Sequence, residues 1–201
     1  MTGSRNPMQR YYDIRAPEYD DAYLDQGVWA GTAPELREGV PLLTAWVASL
    51  APVTTLDVAC GTGFLTEHLQ GDVIGLDFSH SMLTVARSKR LSCPLVQGDA
   101  LRLPFPDGAF ERVFSSHFFG RLQKEERARF VAETKRVARS LVIVDNPAQE
   151  GKPNEGLEER PLLDGTVHTI YKKYFRPEEL VEEMGGAEVL YSTEWFLAAA
   201  I

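Results

Sequence analysis

Three carboxylates, Asp57, Asp77 and Asp99, punctuate three short apolar runs, and the glycines Gly61 and Gly63 follow the first of them. The stretch Leu56-Asp57-Val58-Ala59-Cys60-Gly61-Thr62-Gly63 reads as a strand meeting a turn, with a helical pattern continuing over 63–70 through Thr66, Glu67, His68 and Leu69. Glycine permits positive φ and lets a ligand approach the backbone, and the free N–H groups of a following helix would face that ligand. The third glycine of a dinucleotide fingerprint is replaced by Thr66, and no Gly-Lys-Ser/Thr triplet of a P-loop occurs. The loop carries Asp57 and no Lys or Arg, so it suits a ligand with cationic groups better than a pyrophosphate. Asp77 closes Val73-Ile74-Gly75-Leu76, 14 residues after Gly63. A carboxylate at the carboxyl end of a parallel strand lies where such sheets bind ligands and can accept both hydroxyls of a ribose. Asp99 follows the third run, Pro94-Leu95-Val96, within Gln97-Gly98-Asp99-Ala100.

His117 is the candidate proton acceptor. It follows Val113-Phe114-Ser115-Ser116, so its side chain projects toward the same site. A neutral imidazole, with its usual pKa of about 6.5, can take a proton from a hydroxyl or an amine. The alternative is a histidine that packs against the ligand and shapes the pocket. His168 and Tyr171 are secondary candidates on the acceptor side. Tyr11, Tyr12 and Tyr19 can close over a ligand, or lie on an amphipathic helix with no such role; Arg15 beside them can meet a carboxylate. His68 and His80 read as surface residues. Cys60 and Cys93 supply neither a disulfide framework nor metal-ligand spacing, and no metal is expected.

The elements that must position these residues alternate. Strands are expected near 54–59, 72–76, 94–97, 111–115 and 140–145, with helices near 63–70, 79–90 and 123–139, a pattern that implies a parallel sheet covered by helices on both faces. Residues 8–25 read as a helical segment. Thr32 can cap a helix with Pro34 in its first turn and Glu35 closing the capping box, and that helix runs through Leu36, Val40, Leu43, Trp46, Val47 and Leu50 until Pro52 ends it. Residues 146–164, rich in Pro, Gly and charge, look like a long irregular insertion of the kind that forms binding loops. A short strand at 166–174, a helix at 177–184 and strands near 187–192 and 194–200 complete the chain.

LDVACGTG (56–63), VIGLDFSHSML (73–83), QGDALRLPFPDGAFERVFSSH (97–117) and FRPEELVEEMGG (175–186) together resemble the class I S-adenosylmethionine-dependent methyltransferases. YYDIRAPEYDDAY (11–23) is similar to the entry segment of the ubiquinone/menaquinone-biosynthesis-like small-molecule branch. The resemblance implies an α/β, Rossmann-like three-layer sandwich with a seven-stranded, mostly parallel sheet whose last strand is antiparallel and paired with the sixth. It implies one methyltransferase domain over 1–201: a helical cap (1–50), a cofactor-binding core (51–145), an acceptor-side insertion (146–174) and a C-terminal helix and strand pair (175–201). The cofactor would be S-adenosylmethionine, leaving as S-adenosylhomocysteine, and the acceptor an O, N or C nucleophile of a small molecule. Carried onto this chain, the resemblance gives Asp77 to the ribose, Asp99 and the Ala100 N–H to the adenine, and Phe78 and Met82 to its two faces. Asp57 would contact the ammonium indirectly or bond loop N–H groups; Ala59, Cys60, Gly61, Gly63, Ser115 and Tyr19 complete the cofactor set, with Cys60 filling a small-residue slot. His117 would then face the transferred methyl. Asp145-Asn146-Pro147-Ala148 follows the fifth strand and lacks the second proline and aromatic of the nucleic-acid amino-methylating motif, so it is read as a coincidence.

The chain has 201 residues, 44% hydrophobic and 25% charged, with a net charge of −8. That balance suits one soluble globular domain and argues against a nucleic-acid substrate, which needs a basic face. No apolar run reaches the roughly 20 residues of a membrane span, and the N-terminus lacks a signal-like apolar stretch, so a cytoplasmic location is expected. A methyltransferase-like domain that binds the cofactor for assembly or sensing is the alternative function, and the oligomeric state stays open.

Overall fold

Thr55–Val58 (β1) is buried along its whole length, as a central parallel strand with both faces covered must be. In this computed structural model, which describes residues 7–31 and 34–201, β1 pairs in parallel with Val73–Asp77 (β2) and Phe110–Ser116 (β4). Leu95–Gln97 (β3) adds to β2, and Ala138–Asp145 (β5) adds to β4. Beyond β5 lie two C-terminal strands, Glu188–Ser192 (β8) and Leu197–Ala200 (β9), giving the order β3-β2-β1-β4-β5-β9-β8. β9 is antiparallel to both of its neighbours. Six strands therefore run one way and β9 the other, the Rossmann-like arrangement that the resemblance implies.

Side-chain alternation builds the layers. Leu141 and Ile143 of β5 enter one core with Phe130 and Val137, whereas Val142 and Val144 enter the other with Leu43 and Val47. That is the period of two expected of a strand covered on both faces. The first core is closed by Lys124–Val137 (α5) and Pro177–Glu183 (α6), the second by Pro34–Ala48 (α3). His80–Ser88 (α4) starts at Ser79, whose side chain accepts the Met82 N–H at 3.1 Å, an N-cap bond. The N-terminal segment is built from Pro7–Arg15 (α1) and Asp21–Leu24 (α2). Thr32, the expected cap of α3, and the Glu35 side chain lie outside the described residues.

Three expectations are corrected. The helix expected at 63–70 is only a three-residue 3-10 turn, Thr66–His68. Gly63 and Gly71 both have positive φ and leave seven residues between them, too few for a stable helix; no helix N-terminus faces the site here. Residues 146–164 are not irregular throughout: Glu155–Pro161 (β6) pairs antiparallel with Val167–Lys173 (β7) as a separate two-stranded hairpin. β6 is largely exposed, and a turn with Gly165 at φ +83° closes the hairpin. The last strand begins at Leu197 rather than near 194: residues 193–196 connect it to β8, and Thr193 N–H donates to Phe196 O there at 2.8 Å.

Candidate functional site

The strand order reverses between β1 and β4, and in open α/β sheets ligands bind at that point beyond the carboxyl ends of the strands. Asp77, the last residue of β2, is buried there. Its Oδ2 accepts the Gly61 N–H at 3.0 Å and its Oδ1 accepts the Ser79 N–H at 2.8 Å. Each oxygen keeps a further lone pair for a hydroxyl donor. Burial pushes the Asp77 pKa up to about 6, and the bonds from Ser79, Gly61 and Phe78 limit the rise. Gly61 sits at φ +56°, and a Cβ there would meet only Tyr19 Cε1, at 3.8 Å. Two non-glycine residues share that left-handed conformation at the ends of neighbouring strands, Ala59 (φ 60°) after β1 and His117 (φ 53°) after β4. Such conformations cost on the order of 1–3 kcal/mol each and persist where the surroundings enforce them.

The N-terminal segment is latched over this loop. Gln9 Nε2 donates to Phe78 O at 3.0 Å and Ser79 Oγ to Asp13 at 2.6 Å. Asp20 accepts from Thr62 Oγ1 at 2.5 Å and pairs with Lys89. Glu18 reaches the other way and accepts the Leu163 N–H at 2.8 Å, which ties the segment to the hairpin loop.

Two cavities result. The smaller, about 320 Å³, is lined by Ala59, Gly61, Asp77, Phe78, Met82, Asp99 and Ala100 among others. The larger, about 610 Å³, lies toward the hairpin and includes Arg15, Tyr23, Asn146, Pro147, Lys172, Tyr174 and Phe196. Both volumes are in the roughly 300–1,000 Å³ range of small-molecule sites. Tyr12, Tyr19, His117 and Arg121 line both and form the seam. His117 packs against Tyr23 and Phe196 at ring-centroid distances of 5.7 and 5.9 Å. Its Nε2 is buried with no hydrogen-bond partner among the described residues. Burial lowers its pKa to about 4, against the opposing charge of Asp145, so the ring is neutral near pH 7. Burial opposes ionisation of Asp145, but the Lys172 ammonium brings its pKa below the usual range; Lys172 itself is lowered by burial to about 8. Asp145 also accepts the Gly120 and Asn146 N–H groups at 2.7 and 2.8 Å.

The structure gathers Tyr19, Ala59, Gly61, Asp77, Phe78, Met82, Asp99, Ala100, His117 and Tyr171 around the smaller cavity and Arg15 around the larger. Asp57 stands behind the loop, accepting from Thr66 Oγ1 at 2.6 Å, and burial pushes its pKa up to about 7. Cys60 contacts Gly75, Gly63 abuts Leu91, and Ser115 Oγ donates to Val58 O at 2.9 Å, so these three support the wall from outside it. Tyr11 and His168 pack together at 5.3 Å, away from both cavities. Arg121, Lys172, Phe196 and Asn146 escaped sequence reasoning: each sits on or beside a connection whose path only the fold reveals. Asn146 and Pro147 belong to the stretch read as coincidence, yet they line the larger cavity.

Residues 56–143 match a family model described as a methyltransferase domain. The demethylmenaquinone methyltransferase of Deinococcus radiodurans is 32% identical over 181 residues, 84% of this chain and 67% of the relative. That of Thermus thermophilus is 35% identical over 138 residues, 63% of this chain; the match spans only 56% of that relative's length. Among solved structures, a DhpI-SAM-HEP complex superposes with a TM-score of 0.76 at 26% identity, covering 99% of each chain. Sequence, sheet order and site geometry agree: the chain belongs to the class I S-adenosylmethionine-dependent methyltransferases, in the branch that contains the demethylmenaquinone methyltransferases.

Proposed function

We propose that the chain transfers a methyl group from S-adenosylmethionine to an O, N or C nucleophile of a small molecule held in the larger cavity. The observation that carries this reading is the pair of adjoining cavities, one ending in a hydrogen-bonded Asp77 and the other opening from it across His117 and Arg121. The larger space beside the seam also favours catalysis over a domain that only binds the cofactor.

When bound, the cofactor supplies an electrophilic methyl on a sulfonium: the new bond to the acceptor forms as the S–C bond breaks and its electron pair returns to sulfur. Asp77 accepts the ribose hydroxyls, Phe78 and Met82 flank the adenine, and Asp99 with the Ala100 N–H reads its edge. Gly61, lacking a Cβ, would let the cofactor approach the loop backbone. Tyr12 and Tyr19 exclude water, and the neutral His117 ring offers Nε2 to a hydrogen on the acceptor. Its low basicity makes it a positioning acceptor more than a strong base. Most of the rate comes from holding nucleophile and methyl in line, for which well-oriented reactions gain roughly 7–11 kcal/mol. The relatives named for demethylmenaquinone suggest quinol-like acceptors as one class to screen.

Calorimetric titration with S-adenosylmethionine, S-adenosylhomocysteine and NAD tests the reading. Binding of the two sulfur compounds without NAD, weakened at least about 30-fold by Asp77→Ala (roughly 2 kcal/mol), is the expected result. Equal affinity in Asp77→Ala would remove the ribose assignment.

A further inference from the structure

The seam between the cavities holds a cation that the fold leaves incompletely used. Arg121 ends the short 3-10 turn Phe119–Arg121 that follows β4, and it lines both cavities. A guanidinium carries five N–H donors. Here Nη1 donates to Tyr171 O at 3.3 Å, and Nε is buried without a hydrogen-bond partner among the described residues. Asp145 acts on Arg121 only from a distance and is itself paired with Lys172. Arg121 is half-buried, and a partly desolvated charge without a matched partner is costly, a cost that a ligand anion would offset.

Two acids of the larger cavity wall, Glu155 and Glu158, are in the opposite condition. Glu155 accepts from Tyr171 Oη at 2.6 Å and lies 3.6 Å from Lys173. Glu158 pairs with Arg160 and accepts from Tyr174 Oη at 2.7 Å. These two carboxylates are thus matched within the protein, while the guanidinium at the seam keeps donors for something else. This is notable in a chain of net charge −8. A neutral acceptor would leave those donors unanswered.

We propose that the methyl acceptor carries an anionic oxyacid group, a carboxylate or a phosphate-type oxyanion, and that Arg121 binds it at the seam of the two cavities. The inference names the acceptor class within the methyl-transfer reading and rests on it. The planar fork of arginine suits two oxygens of such a group. With the anion on Arg121, the rest of a small acceptor extends into the larger cavity and a nucleophilic atom lies beside His117.

Ligand-observed NMR tests this with two methyl-bearing probes, methylphosphonate and acetate, on wild type, Arg121→Gln and Arg121→Lys, each saturated with S-adenosylhomocysteine. Wild type is expected to bind at least one probe, and the stronger probe tells phosphate-type from carboxylate acceptors. Arg121→Gln should weaken that binding at least tenfold while keeping its S-adenosylhomocysteine affinity within threefold. Arg121→Lys, the milder variant should the first not fold, keeps charge but loses the fork and should weaken it at least threefold. Absence of probe binding in wild type, or equal binding in the variants, overturns the inference. A tenfold loss of S-adenosylhomocysteine affinity in either variant would assign the guanidinium to the cofactor's own carboxylate and equally overturns it. If wild type binds no S-adenosylhomocysteine, the methyl-transfer reading fails; the same titrations on the free protein then decide the anion site by the same criteria.

Discussion

At the scale of single residues, Asp77 ties cofactor binding to pH. Its pKa is raised to about 6 by burial, and only the ionised carboxylate can accept two ribose hydroxyls. Protonation below that value should therefore oppose binding, and deprotonation above it should add nothing further. S-adenosylhomocysteine affinity is expected to be flat from about pH 7 to 8 and to fall toward tenfold per unit below pH 6. Calorimetry across that range checks it, with Asp77→Asn as the control whose weak binding should not follow the same curve. Asp77, Asp99 and Gly61 were legible in the sequence because each sits where an apolar run ends. Asp57 was legible as a buried acid, but not as one facing away from the cavity toward Thr66. Arg121 was not legible at all. It follows a run of bulky aromatics, Phe118 and Phe119, and nothing local marks it as reaching the ligand space.

Among elements, the β6–β7 hairpin and the turn after β4 meet at Gly120. A Cβ there would collide with the Lys173 carbonyl oxygen and stand 3.0 Å from Lys172 Nζ and 3.2 Å from Asp145 Oδ1. The space is filled by backbone and by a buried ion pair, neither of which yields cheaply. Gly120→Val is expected to destabilise the protein by about 1–3 kcal/mol, the usual cost of overpacking, read as a lower urea midpoint. Since Lys172 lines the larger cavity, the variant should lose acceptor turnover by a larger factor than cofactor affinity. An unaltered midpoint would mean that the hairpin docks loosely. The parallel strands were legible because continuous apolar runs of that length have few other uses, and the Ser79 start of α4 agreed with its cap. Of the hairpin, β7 was legible as the strand expected at 166–174, but β6 was not: it is mostly exposed and charged, so the hydrophobic alternation that identifies a strand is missing from it. The turn at 66–68 failed for the converse reason, a helical pattern enclosed between two left-handed glycines.

For the molecule as a whole, we read residues 7–29 as a cover held from two sides, by Asp13 on Ser79 and Asp20 on Thr62 and by Glu18 on the hairpin loop. A cofactor seated beneath them must add to those contacts, so binding should slow local opening of the cover. Hydrogen exchange with saturating S-adenosylhomocysteine is expected to show protection in 7–25 at least as large as in 57–63. Protection confined to 57–63 would make the segment a bystander. Among the described residues no helix is long and apolar enough to cross a membrane.

The Glu18–Leu163 hydrogen bond joins positions 145 residues apart, and β9, last in the chain, lies between β5 and β8. Contacts of such sequence separation pay their loop-closure entropy before any packing rewards it, which slows folding. The residues around Glu18 therefore cannot take their seat until the hairpin loop, 145 residues later in sequence, has formed. During refolding, recovery of ligand binding should trail the recovery of helix and strand signals, because the enclosure of the site is the final step in assembling the molecule.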